Sequence, residues 1–242
     1  MPASNANTLD AGFQTLVPGT RDAVWRAWMR SIPEWLPDTA PLVVVAPHPD
    51  DETLGAGGLI NLCARRGLSV RLICVTDGEA ARPEMPDLAA IRIAEFDAAS
   101  RHLLGYAASV DRLGMPDGAV ARYERELAWH LGSRIPDNAT LIAPYERDGH
   151  TDHDAIGRVC RDLATKRNLT LARYPIWAWH RLEPGAFGHE SAVRVRLDDK
   201  SLAAKSAAID CYRSQTEERA GGAIVPAHVL AYFRRNHEVY FL

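Results

Sequence analysis

The chain has 242 residues, 47% of them hydrophobic and 24% charged, which suits one large α/β domain with a substantial core better than two small domains. A formal net charge of -3 and a pI near 6.3, with no basic run longer than Arg65-Arg66 or Arg234-Arg235, leave no electrostatic footprint for nucleic acid or an anionic membrane. The polar first ten residues, and the lack of any stretch near the roughly 20 apolar residues of a spanning helix, lead us to expect a soluble, unexported, cytoplasmic protein with no membrane span.

We read residues 1–242 as a single domain in which 1–40 form an N-terminal extension carrying one helix, with Val24, Trp25, Trp28 and Met29 at helical spacing between Arg21 and Ile32. Leu42 to Ala46 is a β-branched run bounded by Pro41 and Pro47, the pattern of a central strand covered on both faces. A helix rich in small residues follows from Thr53 to Gly67, and its Gly55-Ala56-Gly57-Gly58 mimics part of a dinucleotide fingerprint but meets Ile60 where the final glycine belongs. Next come a strand over Val70–Val75, a helix over 87–104, a short strand over 110–113, and a turn at Met115-Pro116-Asp117-Gly118. The remaining expectations are helices at 123–134, 152–166 and 202–212, with strands at 139–143, 174–179 and 192–197. Strands alternating with helices predict a mainly parallel sheet with helices on both faces. The four cysteines, Cys63, Cys74, Cys160 and Cys211, form no Cys-x-x-Cys pair and read as reduced thiols, which argues against a cysteine-held metal.

Two clusters carry the chemistry. The first strand empties into His48-Pro49-Asp50-Asp51-Glu52, an imidazole and three carboxylates in five positions, in the loop where open α/β sheets place ligands. His48 and Asp51 are three residues apart and suit a zinc-type ion, which in catalytic sites takes three protein groups and leaves room for water. The strand at 139–143 leads to Asp148-Gly149-His150-Thr151-Asp152-His153-Asp154, and parallel strands bring both clusters to one sheet edge. A carboxylate after a strand is also a common helix cap, so it is the joint occurrence that points to a site.

Ala46-Pro47-His48-Pro49-Asp50-Asp51-Glu52 and His150-Thr151-Asp152-His153 resemble the motifs of the PIG-L/LmbE family of zinc-dependent N-deacetylases. Val75-Thr76-Asp77-Gly78-Glu79, Arg92-Ile93-Ala94-Glu95, Leu113 to Gly118 and Tyr212-Arg213-Ser214-Gln215 extend the resemblance over most of 40–242. It implies a Rossmann-like three-layer α/β sandwich. It also implies a Zn2+ or other divalent ion on His48, Asp51 and His153, with Asp50 as general base. By the same resemblance His150 is a cation that steadies the oxyanion and protonates the leaving amine, with Asp152 orienting it. Pro47 is inserted relative to the family, Thr151 replaces a proline, and Asp148 stands where some members carry a carbonyl-polarising tyrosine.

Arg92 and Asp117 match substrate-contacting positions of the family, against the plainer readings of an i, i+3 pair with Glu95 and an ordinary turn. Trp177-Ala178-Trp179-His180, read as alternating on a strand, would send one ring to the core and leave Trp179 and His180 to line the mouth of the site, with core packing as the alternative. His102, His130, His189, His228 and His237 lack metal-spaced neighbours and read as surface or packing residues. The expected activity is removal of an acetyl group from an N-acetylated amino sugar, the small-molecule partner. A hydratase or amidase of the same fold, or a non-catalytic metal-binding module, are the alternatives, and self-association is left open.

Overall fold

The computed structural model describes residues 19–242 apart from 39, 106–108, 189 and 220; His189 and the first 18 residues of the N-terminal extension therefore lie outside the described residues. After helix α1 (Asp22–Met29) the chain runs β1 (Leu42–Ala46), α2 (Asp51–Arg65), β2 (Val70–Thr76), α3 (Leu88–Leu104), β3 (Ser109–Met115), α4 (Glu124–Arg134), β4 (Thr140–Pro144), α5 (Thr151–Arg167) and β5 (Thr170–Tyr174). It ends with α6 (Ala178–Arg181), β6 (Ala192–Arg196), α7 (Asp199–Ile209), α8 (Arg213–Thr216), α9 (Ala227–Phe233) and β7 (His237–Phe241).

The seven strands lie in the order β3-β2-β1-β4-β5-β7-β6. The first five are mutually parallel, and β7 runs antiparallel to both its neighbours. All five residues of β1 are buried. Period-2 alternation sends Leu42 and Val44 into one hydrophobic cluster and Val43 and Val45 into another on the opposite face. Helices α2, α3 and α7 cover the first face, and α4 and α5 the second, which makes the expected three layers. The small residues of α2 have a packing reason: a Cβ at Gly55 would overlap the Tyr174 ring, whose hydroxyl donates to Val45 O at 2.8 Å.

One expected strand is corrected. The strand lies at 170–174 rather than 174–179, because Pro175 has no N–H for the ladder. The buried Asp148 carboxylate then accepts from the amides of Ile176, Trp177 and Ala178, each at 2.9 Å, and turns the chain into α6. Sequence reading also missed α8, α9 and β7. A charged Glu238 is the second residue of β7, and it is buried opposite Lys205 at 2.7 Å. Helix α7 starts earlier than expected because the Asp198 side chain caps it by accepting from Ser201 N at 2.8 Å. Cys63, Cys74 and Cys160 are buried free thiols and Cys211 is half-buried.

Candidate hydrolytic metal centre

The site stands at the C-terminal edge of the parallel strands. The loop after β1 is pinned to β2, where Thr76 donates to Pro47 O from its amide and its hydroxyl, both at 3.0 Å. Asp50, the residue before α2, adopts φ 137°, a backbone region an L-residue occupies only when its surroundings impose it. Its amide donates to Glu52 Oε2 at 3.2 Å, and its carbonyl accepts from Thr53 and Leu54 of the first helical turn.

Three donor atoms then converge. His48 Nδ1 lies 3.1 Å from Asp51 Oδ2, His153 Nε2 lies 3.2 Å from the same oxygen, and the two nitrogens are 3.3 Å apart. Tetrahedral coordination with ligand bonds of about 2.05 Å has ligand–ligand edges of about 3.3 Å, so this triangle fits one small divalent cation. His150 is the neighbouring fourth group, its ring 4.9 Å from that of His48 and 4.8 Å from that of His153. The donor set is one carboxylate and two imidazoles, with no thiolate.

Each imidazole of the triangle has at least one carboxylate at its other nitrogen. His48 Nε2 faces Asp117 Oδ1 at 3.1 Å and Asp152 Oδ2 at 3.4 Å, and His153 Nδ1 faces Asp148 Oδ2 at 2.9 Å. Such partners fix ring orientation and raise ligand basicity. Desolvation works to lower both imidazoles, but the Asp117, Asp152 and Asp51 carboxylates outweigh it and hold His48 well above its ordinary pKa. Asp51 and Asp148 raise His153 to about 9 against the same desolvation. Asp51 resists its own desolvation: His153 and His48 hold its carboxyl well below the usual range, so it stays an anion.

Asp152 does not orient His150 through its side chain. Its carboxylate accepts from Gly118 N at 2.7 Å and Val120 N at 3.1 Å and reaches His48. Only its backbone amide meets His150, donating to Nδ1 at 3.2 Å as a cap on α5. That bond requires an unprotonated Nδ1, so neutral His150 carries its proton on Nε2. Desolvation, together with His153 and His48, pushes its pKa well down, which with the accepted amide bond favours a neutral N–H donor over the cation the resemblance implies. Desolvation raises Asp50, with Arg92 opposing and Asp51 and Glu52 reinforcing the shift. Burial lifts Glu52 to about 7 against hydrogen bonds from Thr53 and Tyr212.

Arg92 is 3% exposed and makes no helix-surface pair. It donates to Pro49 O at 2.8 Å and Gly78 O at 3.2 Å, and stands 3.4 Å from Asp50 Oδ1. Gly78 is required there: it sits at φ 68°, and a Cβ would overlap the guanidinium. Glu95 instead accepts from Ser214 N at 2.7 Å and Ser214 Oγ at 2.6 Å. Asp117 lines the cavity, but its Oδ2 is occupied by Ala80 N at 2.8 Å.

The centre opens into a cavity of about 410 Å³ whose walls include His48, Asp50, Asp51, Arg92, Asp117, His150, Trp177 and Gln215. Trp179 and His180 are not on those walls. The turn after β5 puts Trp177 there instead and packs Trp179 into the core, 4.8 Å from the Trp25 ring and beneath Arg235. Gln215 was missed as a site residue; it is 1% exposed, its Nε2 donates to Ser214 Oγ at 2.7 Å, and its Oε1 has no hydrogen-bond partner. Asp148 points away from the cavity, and no tyrosine is among the described residues lining it. Asp148's role with His153 was invisible in sequence, since the only local signal was its position five residues before that histidine.

The family profile PIG-L, described as GlcNAc-PI de-N-acetylase, matches residues 43–164. A probable N-acetyl-alpha-D-glucosaminyl L-malate deacetylase 2 of Bacillus subtilis (strain 168) is 29% identical over 187 residues, 73% of this chain and 83% of that protein. A 1D-myo-inositol 2-acetamido-2-deoxy-alpha-D-glucopyranoside deacetylase of Kribbella flavida is 38% identical over 192 residues; the match takes in 76% of this chain but spans only 58% of that protein. Among solved structures, the conserved protein TT1542 of Thermus thermophilus aligns with TM-score 0.56 and 31% identity over 73% of this chain and 80% of that one.

Proposed function

The chain belongs to the PIG-L family, and we propose that it is a zinc-dependent hydrolase that removes the acetyl group of an N-acetylated amino sugar, leaving acetate and a free amine. The observation that carries this reading is the triangle of His48 Nδ1, Asp51 Oδ2 and His153 Nε2, with edges of 3.1 to 3.3 Å, beside an unligated carboxylate and an unligated imidazole. A metal held for structure alone needs neither. When bound, a divalent ion supplies an acidified water and a polarised carbonyl.

The chain's own groups do the rest. Asp50 lines the cavity beside ligand Asp51 and accepts the proton of the attacking water, and a nearby cation favours its ionised form. Arg92, 3.4 Å away, aims that carboxylate. His150 presents Nε2–H, a neutral donor for the oxygen that becomes negative as the amide carbon turns tetrahedral. The C–N bond then breaks as Asp50 returns its proton to the departing nitrogen, and the amine takes up the proton that acetic acid loses, so one water is consumed and acetate and an ammonium leave with no net acid. Gln215 lines the cavity, and its buried Oε1, which has no hydrogen-bond partner, is the acceptor we assign to a substrate hydroxyl.

The test is release of primary amine from a panel of N-acetylated sugars by protein stripped with chelator and reloaded with Zn2+. Activity should vanish on stripping and return on loading. Asp50→Asn should keep its metal and lose roughly 100-fold to 10,000-fold in kcat, the range for a general base. Near-parental kcat in that variant, or full turnover in the stripped protein, refutes the mechanism.

A further inference from the structure

The cavity has polar and apolar walls. The loops after β1, β3 and β4 bring imidazoles and carboxylates and α3 brings the Arg92 guanidinium, whereas Ile176, Trp177, Ile224, Val225, Val229 and Phe233 are apolar, as are the smaller contributions of Leu54, Ala80, Ala81 and Pro83. Five of the first six belong to the large hydrophobic cluster of the domain, with half-buried Ile224 packed against it. They form one continuous apolar surface that is part core and part cavity wall.

Four of the six come from one segment, 224–233, which leads into and forms α9. That segment is tied down at both ends of its approach: the Arg82 guanidinium donates to Gly222 O, and Val225 N donates to Gln215 O at 2.9 Å. The wall is thus held in place over the metal centre, and its lining side chains offer no donor or acceptor along 224–233. A hydroxyl- or carboxylate-rich group set against it would lose hydrogen bonds to water and gain none. Inositol and malate, the groups named for the similar Kribbella flavida and Bacillus subtilis proteins, are of that polar kind.

We propose that this wall is an aglycone subsite, and that the substrate is an N-acetyl amino sugar bearing an apolar alkyl or aryl aglycone. The inference rests on the deacetylase reading. Given that reading the acyl group is the small acetyl, so an apolar portion that uses this wall lies on the sugar's far side. A cavity of about 410 Å³ is in the range that encloses a ligand of drug size, and apolar area covered there adds to affinity in proportion.

The experiment compares methyl, phenyl and octyl glycosides of N-acetylglucosamine, the last below its micellar concentration. Alongside them runs a series of methyl glucosaminides with N-acetyl, N-butanoyl and N-octanoyl groups. The readout is kcat/KM for amine release by zinc-loaded enzyme, and the Kd of the already deacetylated methyl and octyl glucosaminides by calorimetry. The octyl and phenyl glycosides should exceed the methyl glycoside by roughly tenfold or more in kcat/KM, and octyl glucosaminide should bind tighter than methyl by a similar factor. Val229→Asp should collapse both ratios to below about threefold. Ile224→Ser, at a half-buried position that tolerates a polar side chain, should lower them in the same direction and covers a folding failure of the first variant.

Equal kcat/KM for methyl and octyl glycosides overturns the proposal. So does a gain that follows N-acyl length instead of aglycone, since that would place the apolar group on the acyl side. If no N-acetyl sugar is turned over, the deacetylase reading fails by itself, and the calorimetric ratio still decides the subsite: tighter octyl binding that Ile224→Ser weakens supports it, and equal binding refutes it.

Discussion

Helix α2, which begins with the proposed ligand Asp51, is gripped at its middle by a buried ion pair, and Lys205→Met is the substitution that tests how much this matters. Lys205 Nζ donates to Leu54 O at 2.8 Å and to Glu238 Oε1 at 2.7 Å. Glu238 in turn accepts from Gly58 N at 2.7 Å, Leu59 N at 2.8 Å and the Tyr240 hydroxyl at 2.9 Å. Leu54 C=O and Gly58 N–H are the two halves of one regular helical hydrogen bond, and here each has a charged side-chain partner. The pair is 1% and 4% exposed, so water cannot replace a missing member. Lys205→Met leaves a buried carboxylate without its counter-charge, a loss of about 3–5 kcal/mol. At about 2–4 °C per kcal/mol for a domain of this size, Tm should fall by roughly 6–20 °C. Lys205→Met/Glu238→Leu removes both charges, and the freed amides can fall back on the carbonyls four residues earlier, so the double variant should recover most of that loss. Urea unfolding of metal-stripped protein, with refolding checked, gives each ΔΔG without a contribution from metal binding. A single variant within about 1 °C of the parent, or a double variant no better than the sum of the singles, refutes the argument.

Asp148→Asn should weaken metal affinity by about 10-fold to 100-fold, because it removes the charge facing His153 Nδ1; a chelator competition titration reads it, and unchanged affinity counts against Asp148 as the orienting group. Metal binding should release protons at pH 7. His48 and His153 hold their protons above the ordinary imidazole range in the stripped protein, and a ligand nitrogen must be neutral. Affinity should therefore rise as pH climbs toward about 9 and fall in acid; calorimetry in buffers of different ionisation enthalpy gives the proton count, and zero would refute the charge state assigned to the site. Trp179→Ala should cost about 3–5 kcal/mol of stability as a core truncation, and Trp177→Ala should act on KM, so a pair of variants with those two effects exchanged would reverse the placement of the rings.

The residues proposed as ligands could be picked out from the chain alone because each cluster is local. His48, Asp50 and Asp51 span four positions, His150 and His153 another four, and each group follows a run so apolar that it forms a buried parallel strand. Two parallel strand ends share an edge whatever the loops do, so the convergence of residues 48 and 153 follows from the pattern. What surrounds the ligands does not. Asp117 and Asp152 meet at His48 Nε2 only because β3 is placed at one side of β1 and β4 at the other. Whether Trp177 or Trp179 faces the cavity was decided by Asp148, which collects three amides from the next loop and ends the strand before side-chain alternation can apply. The apolar wall at 224–233 and the Lys205–Glu238 pair come from late segments whose own periodicity is weak and whose partners lie far off in the chain. A short spacing constrains geometry through the backbone itself. Contacts of long sequence separation are chosen by packing, and packing exists only once the sheet order does.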